Sequence, residues 1–523
     1  MLFRSCRSTP PVPHPPAAAP AQPPTPPTPP AAPPSPDWAW LPEGPLSSIL
    51  ASLPPRARTA ARCVCARWRE VLDGGTRALA PGEPRLRSAV TRFPALAVLD
   101  LSACRDVRNS AVTRSLGSGP IAVRLASLAI GTAPGEWAAS RLSNGVSAAL
   151  AARLQGLTSL SLASDALTGE RGLAPLAGLA GLRVLALDCR RTTDKAVAAL
   201  VGALPRLEAF SSSTAGDRTL AALAARPSSL TALRLATPAS TAVAVAALAS
   251  LAASPGGMAL RSLALVSASQ VGPATLAGFS ALTHLALPYS VSVAASSLAR
   301  LRHLRLESLD VRHCTSFDDA GVRTVVAAWG GSLASLRMEG TRATVAASPA
   351  LASLASLRSL SLGAHNRCRR EGVLSARGGA LAALWCGAGG GLTRLAVWGV
   401  ETPPGTWAGL PTAFPGLVDL TITERAAWSP AAPLSFPTGV LSRLTALQAL
   451  ELSAACVGGG GPVVRLVGAL PRLETLVLPN ALSYRGLSGG GLAGLSAACP
   501  AVDVRKVRAR MPGGWVDAVG GAW

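Results

Sequence analysis

The feature that most constrains this chain is a leucine pattern that recurs along most of its length. The unit is L-x-x-L-x-L, often with Val, Ile or Met in the last place, and it occurs fourteen times between Leu96 and Leu478, with a degenerate fifteenth copy at Leu207-Phe210. A unit that returns about every 27 residues is one supersecondary element stacked on its neighbours. The copies begin at Leu96, Leu125, Leu157, Leu182, Leu207, Leu230, Leu260, Leu282, Leu306, Leu333, Leu357, Leu392, Leu417, Leu447 and Leu473.

The spacing within each unit predicts a short strand. In L-x-L two side chains fall on one strand face, and the preceding leucine turns the chain into the strand. The sequence between units, such as Asp194 to Leu204, is rich in Ala, Val and Leu and predicts helix. Each leucine contributes roughly 1.5–3 kcal/mol, but only when a neighbouring unit covers it. This is the leucine-rich-repeat pattern, and it predicts an α/β solenoid over residues 96–504, a horseshoe with parallel strands inside and helices outside.

A different pattern precedes the repeats, at residues 41–73. Its apolar residues recur at helical spacing and are interrupted by Pro54 and Pro55, which predicts a small module of short helices. So short a segment cannot enclose a sufficient core. It either completes its core on a partner or caps the repeat array, as terminal elements of solenoids do.

The residues of this module are similar to an F-box. The similarity rests on Leu41-Pro42, then Leu46, Ile49, Leu50 and Leu53, then Val64-Cys65 and Trp68-Arg69. With the repeats behind it, the chain resembles the F-box/leucine-rich-repeat family, and Cys104, Cys189 and Cys314 mark the cysteine-containing repeat subtype.

This resemblance implies a non-catalytic substrate receptor of a Skp–cullin–F-box ubiquitin ligase. In that family the F-box docks on a Skp-type adaptor, and the repeats hold the protein to be ubiquitinated. No cofactor is implied. The adaptor contacts that the resemblance implies are Leu41, Pro42, Leu46, Ile49, Leu50, Val64, Cys65 and Trp68.

The remaining segments complete the expected domain order. Residues 1–37 are so rich in proline that we expect a disordered tail. The F-box is expected over 38–75, a linker over 76–95, and a basic C-terminal tail over 505–523. Ten cysteines without a compact framework indicate reduced thiols, in the cytoplasm or nucleus.

The net charge of +22 raises the question of nucleic acid. However, the arginines are scattered rather than gathered in one stripe, and this disfavours a phosphate-binding surface. An Arg-rich RNA- or anion-binding solenoid and a repeat scaffold without ligase association stay open as alternatives. Since no run of about 18 strongly apolar residues occurs, we expect no membrane span.

The candidate substrate surface follows from the alternation of side chains along each strand. Positions between and just after the leucines should face the concave side, where most are Ala or Ser. The exceptions, which we name the belt, are Arg234, His284, Asp310, Arg312, Arg337, Glu339, Arg394 and Trp398. Arg and Trp are common at binding hot spots, although solvated charge on a solenoid face is the alternative.

No catalytic or metal motif is evident in the sequence. The five histidines have no nucleophile or paired carboxylates at a recognisable spacing. Neither Cys63 with Cys65 nor His365 with Cys368 has a second ligand pair at zinc spacing.

Overall fold

The described residues all belong to the part of the chain after Pro42. The computed structural model describes residues 46–48, 50, 61, 72, 76–79, 92–93, 95–102, 109, 112–113, 124–131, 142–226, 230–236, 242–363, 391–400, 404–424, 438–452, 466–477 and 502–505. The proline-rich tail, residues 364–390 and residues 506–523 lie outside this set.

The described strands form one parallel sheet of 17 strands, in which each strand pairs with the next along the chain. Each of the fifteen predicted units contributes one strand, β2 to β16, so the predicted solenoid is confirmed. The strands are β1 Ala78–Leu79, β2 Val98–Leu101, β3 Ser127–Ile130, β4 Ser159–Ala163, β5 Val184–Asp188, β6 Ala209–Ser212, β7 Ala232–Leu235, β8 Ser262–Leu265, β9 His284–Ala286, β10 Ser308–Asp310, β11 Ser335–Arg337, β12 Ser359–Gly363, β13 Arg394–Val400, β14 Asp419–Glu424, β15 Ala449–Leu452, β16 Thr475–Val477 and β17 Asp503–Arg505.

The pairing register stacks the same leucine of every unit. Leu160 pairs with Leu185, Leu185 with Phe210, and the column continues through Leu309 and Leu336 in the same way. From Leu99 to Leu476 no member of this column is more than 2% exposed. A one-residue slip would move the leucines to the other face, so the repeated burial fixes the register.

Helices fill most of the returns between strands. They are α1 Asn144–Arg153, α2 Gly169–Leu173, α3 Asp194–Ala203, α4 Asp217–Ala224, α5 Ala242–Ala253, α6 Pro255–Met258, α7 Pro273–Ala277, α8 Ala295–Ala299, α9 Asp319–Trp329, α10 Ser348–Ala352, α11 Leu410–Ala413 and α12 Thr438–Leu441. Short 3₁₀ helices occupy Ala174–Gly178, Val345–Ala347 and Pro404–Gly409. Val197 and Leu200 of α3 join the strand leucines in one continuous buried cluster, so helices and strands share a core.

The sheet extends past both ends that the sequence predicts. β1 lies inside the expected linker 76–95, where Leu79 pairs with Leu99, and β17 reaches Arg505 in the expected tail. Neither end strand belongs to an L-x-x-L-x-L unit, although Leu79 pairs in register with Leu99 and Val504 with Leu476. The described sheet therefore has one strand more at each end than the fifteen units predict.

The described residues of the N-terminal module are helical, as predicted. Leu46, Leu50, Ala61 and Leu72 adopt helical backbone and are each less than 9% exposed. None of the four is among the described residues of the repeat cluster, which runs from Phe93 to Val502. The cap alternative stays open.

Candidate functional site

The candidate site lies on the sheet face between the leucines. One row of this face consists of the residue between the last two leucines of each unit, and we name it the central row. Pairing aligns its members in the order Ser211, Arg234, Ala264, Ala286, Asp310, Arg337, Ser361, Ala396, Thr421 and Glu451. The small residues leave space above the sheet, and β7 to β15 line a concavity of about 770 Å³ that we name the groove.

A buried ion pair forms the base of this site. Arg312 Nη2 lies 2.8 Å from Asp310 Oδ2, and Arg312 Nε donates to both carboxylate oxygens at 3.0 Å. The Arg312 backbone N–H donates to the same carboxylate at 3.1 Å. Burial alone would raise the pKa of Asp310, but Arg312 and Arg337 outweigh it and hold the pKa below its ordinary value.

Arg234 is the second buried cation of the groove. It is only 5% exposed, and burial lowers its pKa to about 10. The charge of Arg312 adds to this lowering, while Asp310 and Asp188 oppose it. Only Ala264 and Ala286 separate Arg234 from Asp310 in the central row. Because neither alanine carries a charge, no charged residue of the central row lies between the arginine and Asp310.

A hydrogen-bond chain joins three neighbouring strands. Trp398 Nε1 donates to Ser361 Oγ at 3.2 Å, and Ser361 Oγ donates in turn to Glu339 Oε1. Arg337 Nη2 lies 3.5 Å from the same Glu339 oxygen. Trp398 is held by its backbone too, since it pairs with Gly363, where an added Cβ would lie 2.0 Å from the Trp398 carbonyl oxygen.

Arg394 and His284 also line the groove. Arg394 is exposed and pairs in register with Asp419. Burial raises the pKa of Asp419, and Arg394 partly opposes the shift. His284 Nδ1 is hydrogen-bonded to Thr283 Oγ1 at 2.8 Å.

The structure thus brings the predicted belt into one region but gives its members different surroundings. Arg234, Asp310, Arg312 and Glu339 are each at most 7% exposed, whereas Arg337, Arg394, Trp398 and His284 keep accessible surface. Arg312 belongs to the predicted belt, yet its guanidinium is engaged by Asp310. We therefore assign Arg312 to the support of the groove, and substrate contact by the four accessible residues stays a prediction.

Sequence reasoning missed Ser361 and a stacked aromatic pair. Ser361 is one of the small residues of this face, and no sequence signal reports its bond to Glu339. Tyr289 and His313 stack with ring centroids 4.4 Å apart, and both have left-handed backbone, with φ values of 63° and 60°. The backbone N–H of Tyr289 donates to the carbonyl of Arg312, and the backbone N–H of His313 donates to the carbonyl of Glu339. The stacked pair is therefore hydrogen-bonded to two residues of the belt.

The predicted adaptor-binding residues are only partly described. Leu46 and Leu50 are each 1% exposed. Their role as adaptor contacts stays a prediction. Leu41, Pro42, Ile49, Val64, Cys65 and Trp68 lie outside the described residues.

The cysteines of the repeat subtype are structural. Cys189 and Cys314 are fully buried, and Cys314 Sγ donates to Leu287 O of the preceding repeat at 3.0 Å. Burial raises the pKa of each thiol to about 12, so neither is a thiolate near neutral pH. Cys104 lies outside the described residues.

The structure adds two negative observations, both limited to the described part of the chain. There, no three His, Cys, Asp or Glu side chains are grouped so that they could hold a metal ion. Nor does this part contain a helix that is both long and apolar enough to cross a membrane.

Comparison with known proteins identifies the N-terminal module. Residues 38–74 match the F-box domain family, so the chain carries an F-box followed by a leucine-rich-repeat solenoid. No curated protein matches the chain.

Three solved structures are similar to parts of this chain. A chain of the yeast Rad7 and Elc1 complex is 15% identical, with a TM-score of 0.43 over 84% of this chain and 88% of that one. LegL7 of Legionella pneumophila is 16% identical, with a TM-score of 0.36 over 58% and 94%. An internalin of Listeria monocytogenes is 18% identical, with a TM-score of 0.31 over 64% and 83%.

Proposed function

We propose that this chain is the substrate-recognition subunit of a Skp–cullin–F-box ubiquitin ligase. Its F-box docks on a Skp-type adaptor, which links it to the cullin core, and its repeats hold the protein to be ubiquitinated. The complex works in the cytoplasm or nucleus. The observation that carries the proposal is the F-box match at residues 38–74, placed directly before an array whose first strand begins at Ala78.

The proposed contribution of the chain to ubiquitination is proximity. A receptor that binds the target and the ligase at once makes their encounter effectively intramolecular. Such a receptor needs two separate surfaces and no reacting group of its own. The F-box match at residues 38–74 and the strands that follow from Ala78 onward support this division.

The charges of the groove support a protein target over nucleic acid. Acidic side chains line it beside the arginines, namely Glu307, Asp310, Asp419 and Glu451. A phosphate-binding surface concentrates positive charge, whereas mixed charge suits a protein surface of complementary pattern. We propose His284, Arg337, Arg394 and Trp398 as the substrate contacts.

Affinity purification tests the proposal. The full chain and a chain lacking residues 41–73 are each expressed with a tag in cells that contain the ligase. We expect the Skp adaptor and the cullin to copurify with the full chain only. Absence of the adaptor from the full-chain sample would contradict the proposal and leave a repeat scaffold.

A further inference from the structure

The groove contains a buried carboxylate that the protein satisfies only in part. Glu339 is 5% exposed, and its Oε1 atom accepts from Ser361 and faces Arg337. Its Oε2 atom is also buried, and no described group donates a hydrogen bond to it. Because a buried acceptor without a donor is costly, a site of this kind indicates a group that arrives from outside.

This carboxylate lies beside the groove and is coupled to its lining. Arg337, Ser361 and Trp398 all line the groove, and all three belong to the hydrogen-bond group of Glu339. The 3.5 Å separation between Arg337 and Glu339 is too long for a strong bond. The Arg337 side chain is also 24% exposed and lines the groove, so an entering group can contact it.

The surrounding charges select the kind of donor. Asp310 and Glu339 are acids, and Arg312 and Arg337 are bases, so this group of four is balanced. A lysine or arginine from a partner would lose its hydration without meeting an excess of negative charge. A neutral amide avoids that cost, and it supplies an N–H for Glu339 and a carbonyl for Arg337.

We propose that Glu339, Arg337 and Trp398 form a subsite that binds an amide group of the recruited protein. The amide N–H donates to Glu339 Oε2, its carbonyl accepts from Arg337, and the attached carbons pack against the Trp398 ring. The amide belongs to an Asn or Gln side chain or to the main chain of an extended segment. This inference rests on the proposed role of the groove in substrate recognition.

Selection from a displayed library of random peptides tests the subsite. The bait is the purified full chain, in wild-type form and as Glu339→Gln, which keeps the shape but replaces the Oε2 acceptor with a donor. The matched control is Glu170→Gln, which removes an acid from an exposed ion pair with Lys195. Binding of the purified adaptor to each variant reports separately on the F-box.

Selected peptides are then changed one group at a time. Exchanging Asn for Asp or Gln for Glu tests a side-chain amide, and N-methylation of single peptide bonds tests a main-chain amide. We expect one of these changes to weaken binding to the wild type and to Glu170→Gln at least tenfold. Glu339→Gln should no longer prefer the unchanged peptide. If the sensitive group is a side-chain amide, this variant should bind the peptide with Asp or Glu better than the peptide with Asn or Gln.

Three results would overturn the subsite. They are selection of Lys or Arg at the sensitive position, equal binding of all peptides by wild type and Glu339→Gln, and failure to select any peptide. Adaptor binding that persists in these cases leaves the proposed ligase function in place, whereas its loss in the wild type would remove the function itself.

Discussion

Asp310 and Arg312 show how a single pair of residues supports the groove. Their side chains are each 9% exposed, and three donors of the arginine and its backbone converge on one carboxylate. A buried pair of this kind is worth little compared with apolar packing, but loss of one partner leaves the other charge buried alone.

Replacement of Asp310 by Ala should therefore destabilise the repeats strongly. We expect a loss of roughly 3–5 kcal/mol, measured as a lower urea midpoint of unfolding. Glu208→Ala is the control, because Glu208 and its partner Arg183 are 44% and 55% exposed. The control should lose no more than about 1 kcal/mol. Equal losses in the two variants would contradict this view of the pair.

The same carboxylate predicts a pH dependence. The folded pKa of Asp310 is lowered, so its contribution to stability is present above the unfolded pKa of about 3.9 and is lost as the pH falls through the folded value. The stability gap between the wild type and Asp310→Asn should be large at neutral pH and should close at pH values below that range. Urea unfolding at several pH values measures the gap, and a constant gap would argue against a charged Asp310.

Cys189 and Cys314 should resist alkylation in the folded protein. With a thiol pKa of about 12, the thiolate fraction at pH 8 is on the order of 10⁻⁴, and burial also blocks access. Mass spectrometry after iodoacetamide treatment should find both residues unmodified in buffer and modified in urea. Rapid labelling of the folded protein would show that the thiols are accessible.

At the scale of elements, an aspartate in the first turn of a helix accepts hydrogen bonds from the next repeat. Asp194, in the first turn of α3, accepts from the backbone of Gly216 at 2.7 Å and Arg218 at 2.9 Å, and from the Thr219 hydroxyl at 2.5 Å. These bonds outweigh the effect of burial and lower the pKa of Asp194. Asp319 accepts from Thr344 of the next repeat in the same manner.

Asp194→Ala should loosen one boundary of the array and leave distant repeats intact. It leaves the N–H groups of Gly216 and Thr219 without their acceptor, which costs about 1–3 kcal/mol. Hydrogen exchange should become faster in Asp217–Ala224, while Ser308–Asp310 and Ser335–Arg337 exchange as before. Faster exchange throughout the sheet would mean that the array unfolds as one cooperative unit.

The elements differ in how far the sequence determines them. The strands β2 to β16 follow from leucine spacing, because their register is set by burial that repeats in every unit. β1 and β17 have no such spacing and form because the sheet offers them an edge. The bond from Ser361 to Glu339 and the stacking of Tyr289 on His313 join residues from different repeats, so they depend on side-chain geometry that periodicity does not encode. The belt was predictable as a region, but the division into buried and accessible members was not.

At the scale of the whole molecule, the chain combines an F-box with a leucine-rich-repeat solenoid. The buried cluster of the repeats runs from Phe93 to Val502. In our account the first part attaches the molecule to its ligase and the second part holds the target. A change inside the F-box core should therefore remove docking and leave the repeats folded.

Titration of purified Skp adaptor against the full chain and Leu46→Arg tests this most directly. Leu46 is 1% exposed, so a buried Arg should disrupt the F-box core. Val98→Arg is the control, since Val98 is 39% exposed on β2. We predict that the wild type and Val98→Arg bind the adaptor and that Leu46→Arg does not. The repeats of all three proteins should unfold at the same temperature. Two results would contradict this prediction: adaptor binding by Leu46→Arg, or a Leu46→Arg protein that loses both adaptor binding and the thermal unfolding transition of the repeats.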